Sequence, residues 1–316
     1  MRNRPFGCFD RGKDLAGFDD NQIRSISQPV VQRPSMNSHH GFLAAVDRDL
    51  LAGDAQFPTA LKLLAALRQV LDDPDASVSR VTTLVGAEPL VTTRMLRLAN
   101  CVTFNPAGVQ ILTVEQAVQR VGFNMVRTAA TAVAVGQMRA LAGVPHFGAI
   151  ADAAWQYSVR LSVLARRLAP VHAGVRADEA GLCGLVVELG TFYLLQRASR
   201  YPSYSDASCI EALQDLLAQH VAHTTARLAH ALGLPVAILA VLDAWHQPRE
   251  VLPLAGALYG CMQQAEALLA PVFDPPEGEE AALAGAWAPL SAAQALGIAS
   301  DARAALADLA GALGGQ

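Results

Sequence analysis

The feature that most constrains this chain is an apolar pattern at helical spacing, repeated with clear stops from residue 57 to residue 269. Phe57, Leu61, Leu64 and Leu71 fall on one helical face before Asp72, Asp73 and Pro74 end the run. The spacing predicts a second helix over about 77–85, stopping near Gly86. Pro89 then suits the first turn of a third helix, where its missing N–H leaves no bond unmade. There Val91, Met95 and Leu98 lie on one side, with Arg94 and Arg97 on the other. Thr113 with Gln116 three residues on forms a capping box for a helix to Val121, and Gly122 suits its stop.

Further helices are expected over 124–141, 151–168, 177–197, 210–232, 235–245 and 254–269. A hinge around Pro145, between Gly143 and Gly148, divides two helical halves. Hydrophobic residues make up 52% of the 316 and charged residues 16%. Much of the apolar share is Ala and Leu, which lose little on entering a helix. The expected fold class is all-α, with no strands and no repeat of fixed period.

Residues 1–40 are polar, carry Pro, Gly and Ser, and show no period, so they read as a disordered, flexible N-terminal arm. Met36 offers an alternative start, and residues 1–35 are expected to lie outside the native product; intact mass of the native protein decides that point. A main domain is expected over 41–270, its two halves at about 57–142 and 149–250. Residues 271–316 then form an acidic linker, centred on Asp274, Glu277, Glu279 and Glu280, and a loose Ala-rich helical tail.

Several function classes lose support here. Net charge is -4 and the arginines are scattered, so no basic stripe suited to nucleic acid is evident. The five cysteines (Cys8, Cys101, Cys183, Cys209 and Cys261) are odd in number and far apart, as expected of reduced thiols in a cytoplasmic protein. The residues after Arg2 and Arg4 contain no apolar export signal. The greasiest stretch, Leu232 to Leu242, contains Pro235 and is far shorter than the roughly 20 apolar residues of a spanning helix. Neither a membrane nor direct nucleic-acid contact is expected.

Five blocks in order carry a family likeness. They are Phe57-Pro58; Glu88-Pro89-Leu90 with Leu96-Arg97-Leu98-Ala99-Asn100-Cys101; Ile111-Leu112-Thr113 through Ala117 with Val121-Gly122; Trp155 to Ser158 with Ala180 to Gly190; and Leu234-Pro235 with Ala244 to Pro248. Together they resemble the HDOD domain, a non-hydrolytic relative of the HD-domain phosphohydrolases, over about residues 57–250. The resemblance implies a multi-helical signalling module with the frame of a metal-dependent hydrolase.

The departures bear on chemistry. HD enzymes hold a divalent ion with an adjacent His-Asp pair, whose imidazole nitrogen and carboxylate oxygen converge to acidify a bound water. The corresponding place here reads Val187-Glu188, and valine has no lone pair to give. The upstream His position is Tyr157, a poor ligand for hard ions at neutral pH. No catalytic residue, no metal and no cofactor is therefore expected.

The candidates for a vestigial pocket are Tyr157, Val187, Glu188, His220 and His246. Glu188 lies in an apolar helix, so a salt bridge to an arginine such as Arg160, or a backbone donor, is expected. His220, His223 and His230 share a helical sector with Arg227, which favours a polar face over a metal site. His246 occupies the second His of the family's closing motif and is expected to cap a helix end in preference to binding a ligand. Asn100 is expected to cap its helix and fix the following turn. Pro89, Gly122, Gly184 and Gly190 are motif positions with structural duties.

The resulting expectation is a stand-alone, non-enzymatic regulator whose surface acts on other signalling proteins, with cyclic-dinucleotide or stress-response regulators as the setting the resemblance suggests. Whether it forms a homodimer is left open. The alternatives are a divergent HD-type phosphohydrolase and a nucleotide or small-ligand sensor using the vestigial pocket.

Overall fold

Several helices begin where the sequence offers a cap. A computed structural model of the chain describes residues 41–46, 48, 63, 64, 66, 67, 69, 70, 73, 77–102, 104–141, 147–201, 204, 209–245, 256–274 and 290–313. The Ser77 hydroxyl accepts from the Arg80 N–H at 3.2 Å and opens α1, Val78–Gly86. The buried Glu88 carboxylate accepts from the Val91 N–H at 2.8 Å and opens α2, Pro89–Asn100. Thr113 caps α3, Val114–Val121, at 3.2 Å, while the Gln116 side chain reaches back to the Leu112 N–H at 3.3 Å. The predicted box forms, one residue wider than its usual form. Gly122 ends α3 at φ +80°, and α4, Phe123–Leu141, follows at once.

The second half is built from α5, Gly148–Leu168; α6, Ala177–Val186; α7, Leu189–Ala198; α8, Ile210–Ala231; and α9, Val236–Trp245. Then come α10, Gly256–Ala267; α11, Leu269–Phe273; and α12, Ala292–Leu313. The described residues include no strand, so the fold is all-α.

α5 is the hub, with α6, α10 and α12 packed against it. Gly184 lets α6 approach: a Cβ there would lie 2.6 Å from both the Ser162 Cα and N. The Ser162 hydroxyl also donates to the Gly181 carbonyl across that contact at 2.6 Å. α4 joins the halves by packing on both α6 and α7. Val81, Met95 and Val133 of the first half share one buried cluster with Leu164, Phe192, Leu217, Ile238 and Met262 of the second.

Three expectations change. The predicted helix over 177–197 is two helices, broken at Val187 and Glu188. The helix predicted over 254–269 ends at Ala267, and α11 follows separately. The tail is not loose: Ala295, Ala299 and Ala302 of α12 are buried in the shared core, because small side chains let that helix lie close on α5. The arm at 1–40, the Pro145 hinge and the acidic stretch 275–289 lie outside the described residues. Among those described, no helix is long and apolar enough to cross a membrane.

Candidate functional site

Positions 187 and 188, which the resemblance sets against the His-Asp pair of HD enzymes, form a helix break. α6 stops at Val186, Glu188 takes φ -99° and ψ 15°, and α7 restarts at Leu189. A break orphans backbone groups, and these must find partners. The Thr225 hydroxyl of α8 supplies them: it accepts from the Gly190 N–H at 3.0 Å and lies 3.5 Å from the Val187 carbonyl, toward which it donates. Thr225 is wholly buried. It comes that close because residue 190 is glycine; a Cβ there would meet Thr225 Oγ1 at 2.5 Å and the Val221 carbonyl oxygen at 2.6 Å.

Val187 and Glu188 part company at this break. The Val187 side chain is fully enclosed in the core, so nothing in solution reaches it. Glu188 is half-buried, and its carboxylate accepts from the Thr191 hydroxyl at 2.5 Å. Burial pushes its carboxyl up to about 7, against the opposing pull of that hydrogen bond. The expected salt bridge to Arg160 does not form. Arg160 instead pairs with Asp274 at 2.6 Å and lies over the Phe273 ring, because α11 rather than the break packs beside its part of α5.

The remaining candidates scatter. The Tyr157 hydroxyl donates to Glu266 of α10 at 3.2 Å, so this position is tied to another helix. On α8, His220 and Arg227 are half-buried while His223 and His230 are exposed, with Leu217, Val221, Leu228 and Leu232 buried opposite. His246 lies outside the described residues. Among those described, no group of three or more His, Cys, Asp or Glu side chains could hold a metal ion. The donor set at 187–188, one carboxylate already bonded to a hydroxyl, does not fit a divalent ion.

Asn100 does more than cap. Its Nδ2 donates to the Leu96 carbonyl at 2.9 Å and to the Ile111 carbonyl at 2.8 Å, while its Oδ1 accepts from the Ile111 N–H at 2.8 Å. One side chain thus closes the loop between α2 and α3 as a paired strand would. Sequence reasoning missed Thr191, Thr225 and Glu266. The first is legible only once the break is known, since a hydroxyl three residues past a carboxylate gains meaning at a helix start. The other two are tertiary partners with no local signal.

The HDOD domain family model matches residues 57–248. A crystal structure from Shewanella amazonensis SB2B, provisionally named a metal-dependent phosphohydrolase, is 19% identical with a TM-score of 0.62, covering 86% of this chain and 100% of its own. An HDOD domain protein with unknown function from Geobacter sulfurreducens is 15% identical with a TM-score of 0.54, over 85% of this chain and 96% of its own. A protein from Marinobacter aquaeolei VT8, provisionally named for signal transduction, is 18% identical with a TM-score of 0.57, over 90% of this chain and 67% of its own. At such identities the likeness is one of fold. No curated protein matches the chain significantly in sequence.

Proposed function

The chain belongs to the HDOD domain family, and from that premise we propose that it is a signal-transduction regulator that acts by binding other proteins and carries out no hydrolysis. The observation behind this reading is the state of positions 187 and 188. One is an apolar side chain sealed in the core, and the other is a single carboxylate bonded to Thr191 at a helix break. A hydrolytic ion needs several converging donors, and these two residues offer one. The partners we favour are cytoplasmic signalling proteins, with cyclic-dinucleotide or stress-response regulators first among them.

Metal analysis of the purified full chain, paired with a generic phosphodiesterase assay, tests the proposal. The expected result is no stoichiometric Mn, Fe or Zn and no turnover. Bound metal together with turnover abolished by Glu188→Ala would establish the divergent phosphohydrolase instead.

A second reading has one observation in its favour: Glu188 is half-buried and held near neutrality, as a group meeting a ligand often is. On this reading the break senses a nucleotide or another small molecule. Thermal-shift screening should then give a saturable rise in Tm with one nucleotide, and the rise should vanish in Glu188→Ala.

A further inference from the structure

The loop between α2 and α3 carries three of the most water-exposed large apolar side chains among the described residues. Val102 is 78% exposed, Val109 64% and Leu112 69%, and Leu90 at the start of α2 adds another at 50%. Single exposed apolar residues need no explanation, but several on one short loop do. Residues 101–113 contain no charged side chain at all.

The same loop is firmly built. Asn100 pairs with both backbone groups of Ile111. The Cys101 carbonyl accepts from the N–H groups of Phe104 and Asn105 at 3.1 and 2.8 Å. The buried Asn105 donates from Nδ2 to the Val109 carbonyl at 2.7 Å, and the Gly108 N–H donates back to the Asn105 carbonyl at 3.0 Å. Gly108 takes φ +68° to close the turn. A loop fixed in this way presents its apolar side chains at little further entropic cost, which is how a preorganised recognition surface behaves.

The charge beside it points to the occupant. α2 contains two charged side chains, Arg94 and Arg97. Arg97 is exposed and makes no ion pair among the described residues; it stands one turn before Asn100, on the face that holds Ile111. Burial holds the Arg94 guanidinium below its ordinary range, and the neighbouring positive charge of Arg97 adds to that effect. Glu115 in the first turn of α3 is the acidic counterweight. The chain's own residues 1–40 carry more Arg and Lys than Asp, so they complement this surface poorly.

We propose that the α2–α3 loop is the docking site for a partner protein, with Val102, Val109 and Leu112 seated in an apolar groove of that partner and Arg97 facing carboxylates on its rim. This rests on the protein-binding reading above and adds where the contact lies and what chemistry it selects. Central apolar anchors with a charged rim match the usual anatomy of such contacts.

The test uses the full chain, immobilised and panned against a phage-displayed random peptide library. The expected consensus combines large apolar residues with Asp or Glu, and the synthesised consensus peptide should bind in fluorescence anisotropy. The double variant V109S/L112S should weaken binding at least tenfold at unchanged Tm, since both side chains face water. Arg97→Glu should weaken it severalfold and flatten its salt dependence. Peptides that bind V109S/L112S as well as the unmodified chain would overturn the site while leaving protein binding intact. A basic consensus, or no enrichment, would also overturn it. So would a wild-type dimer that V109S/L112S converts to monomer, or loop-dependent binding to anionic phosphatidylserine vesicles, because the occupant would then be a second copy or a lipid surface.

Discussion

Among the described carboxyls Glu188 is the one that burial shifts clearly, and its sign can be followed through to stability. The group ordinarily titrates near 4.5 and is raised to about 7 in the folded chain. Between those values the folded protein keeps a proton that the unfolded chain has released. Its favourable contribution is therefore full below about 4.5, declines as pH rises, and above 7 has become a standing cost of ionising the buried group. Converted at about 1.4 kcal/mol per unit, that cost is at most about 3–4 kcal/mol, and the water that still reaches the side chain reduces it. Glu188→Gln keeps an oxygen able to accept from Thr191 and removes the charge. In urea denaturation it should stabilise the protein by about 1–3 kcal/mol at pH 8 and by almost nothing at pH 4. An equal effect at both pH values would mean that the carboxyl titrates normally. The sequence already marked this carboxylate as expensive, because its neighbours are apolar. It could not show that the compensation is a local hydroxyl rather than Arg160, since that choice depends on where the helix breaks.

Among the elements, two glycines set how closely helices meet. At Gly184 an added Cβ would strike the Ser162 backbone, and at Gly190 it would strike the Val221 carbonyl and the Thr225 N–H. Backbone cannot swing aside as a flexible side chain can, so the helices would have to separate. Gly184→Ala and Gly190→Ala should each cost about 3 kcal/mol, a fall in Tm of roughly 5–10 °C. Gly86, at the end of α1, has nothing within 4 Å of its would-be Cβ. Gly86→Ala should therefore be neutral or raise stability by up to about 1 kcal/mol. Differential scanning calorimetry of the three variants checks the contrast, and comparable losses in all three would remove close packing as the reason. These contacts explain the uneven legibility of the chain. Caps and periods are local, so Pro89, Thr113 and Gly122 were readable in place. The division of 177–197 was not, because its apolar run continues without a local stop across the break, and the turn is held by Thr225, 35 residues beyond Gly190.

Taken as a whole, the molecule shares one core where the sequence suggested two halves and a loose tail. The buried cluster runs from Phe42 through both halves to Ala302. α12 carries the small apolar residues of that contact on one face, and Ala302 is fully enclosed. It is tied further by Arg303, whose Nε donates to the Val272 carbonyl of α11 at 2.8 Å. An Ala-rich helix gives no strong amphipathic signal, which is why its docking escaped the sequence. A core continuous across all these elements should come apart in one step rather than half by half. Of the three tryptophans, Trp155 within α5 and Trp245 at the end of α9 report on separate places. Tryptophan fluorescence and far-ultraviolet circular dichroism should therefore follow a single urea transition with the same midpoint. Ala302→Glu would bury an unpaired carboxylate against α5, at a cost of several kcal/mol in the folded state. Because the core is shared, that change should move both signals together to lower urea. If it shifted one signal and left the other in place, or if the unmodified chain already showed two midpoints, the halves would be separate folding units and α12 would belong to only one of them.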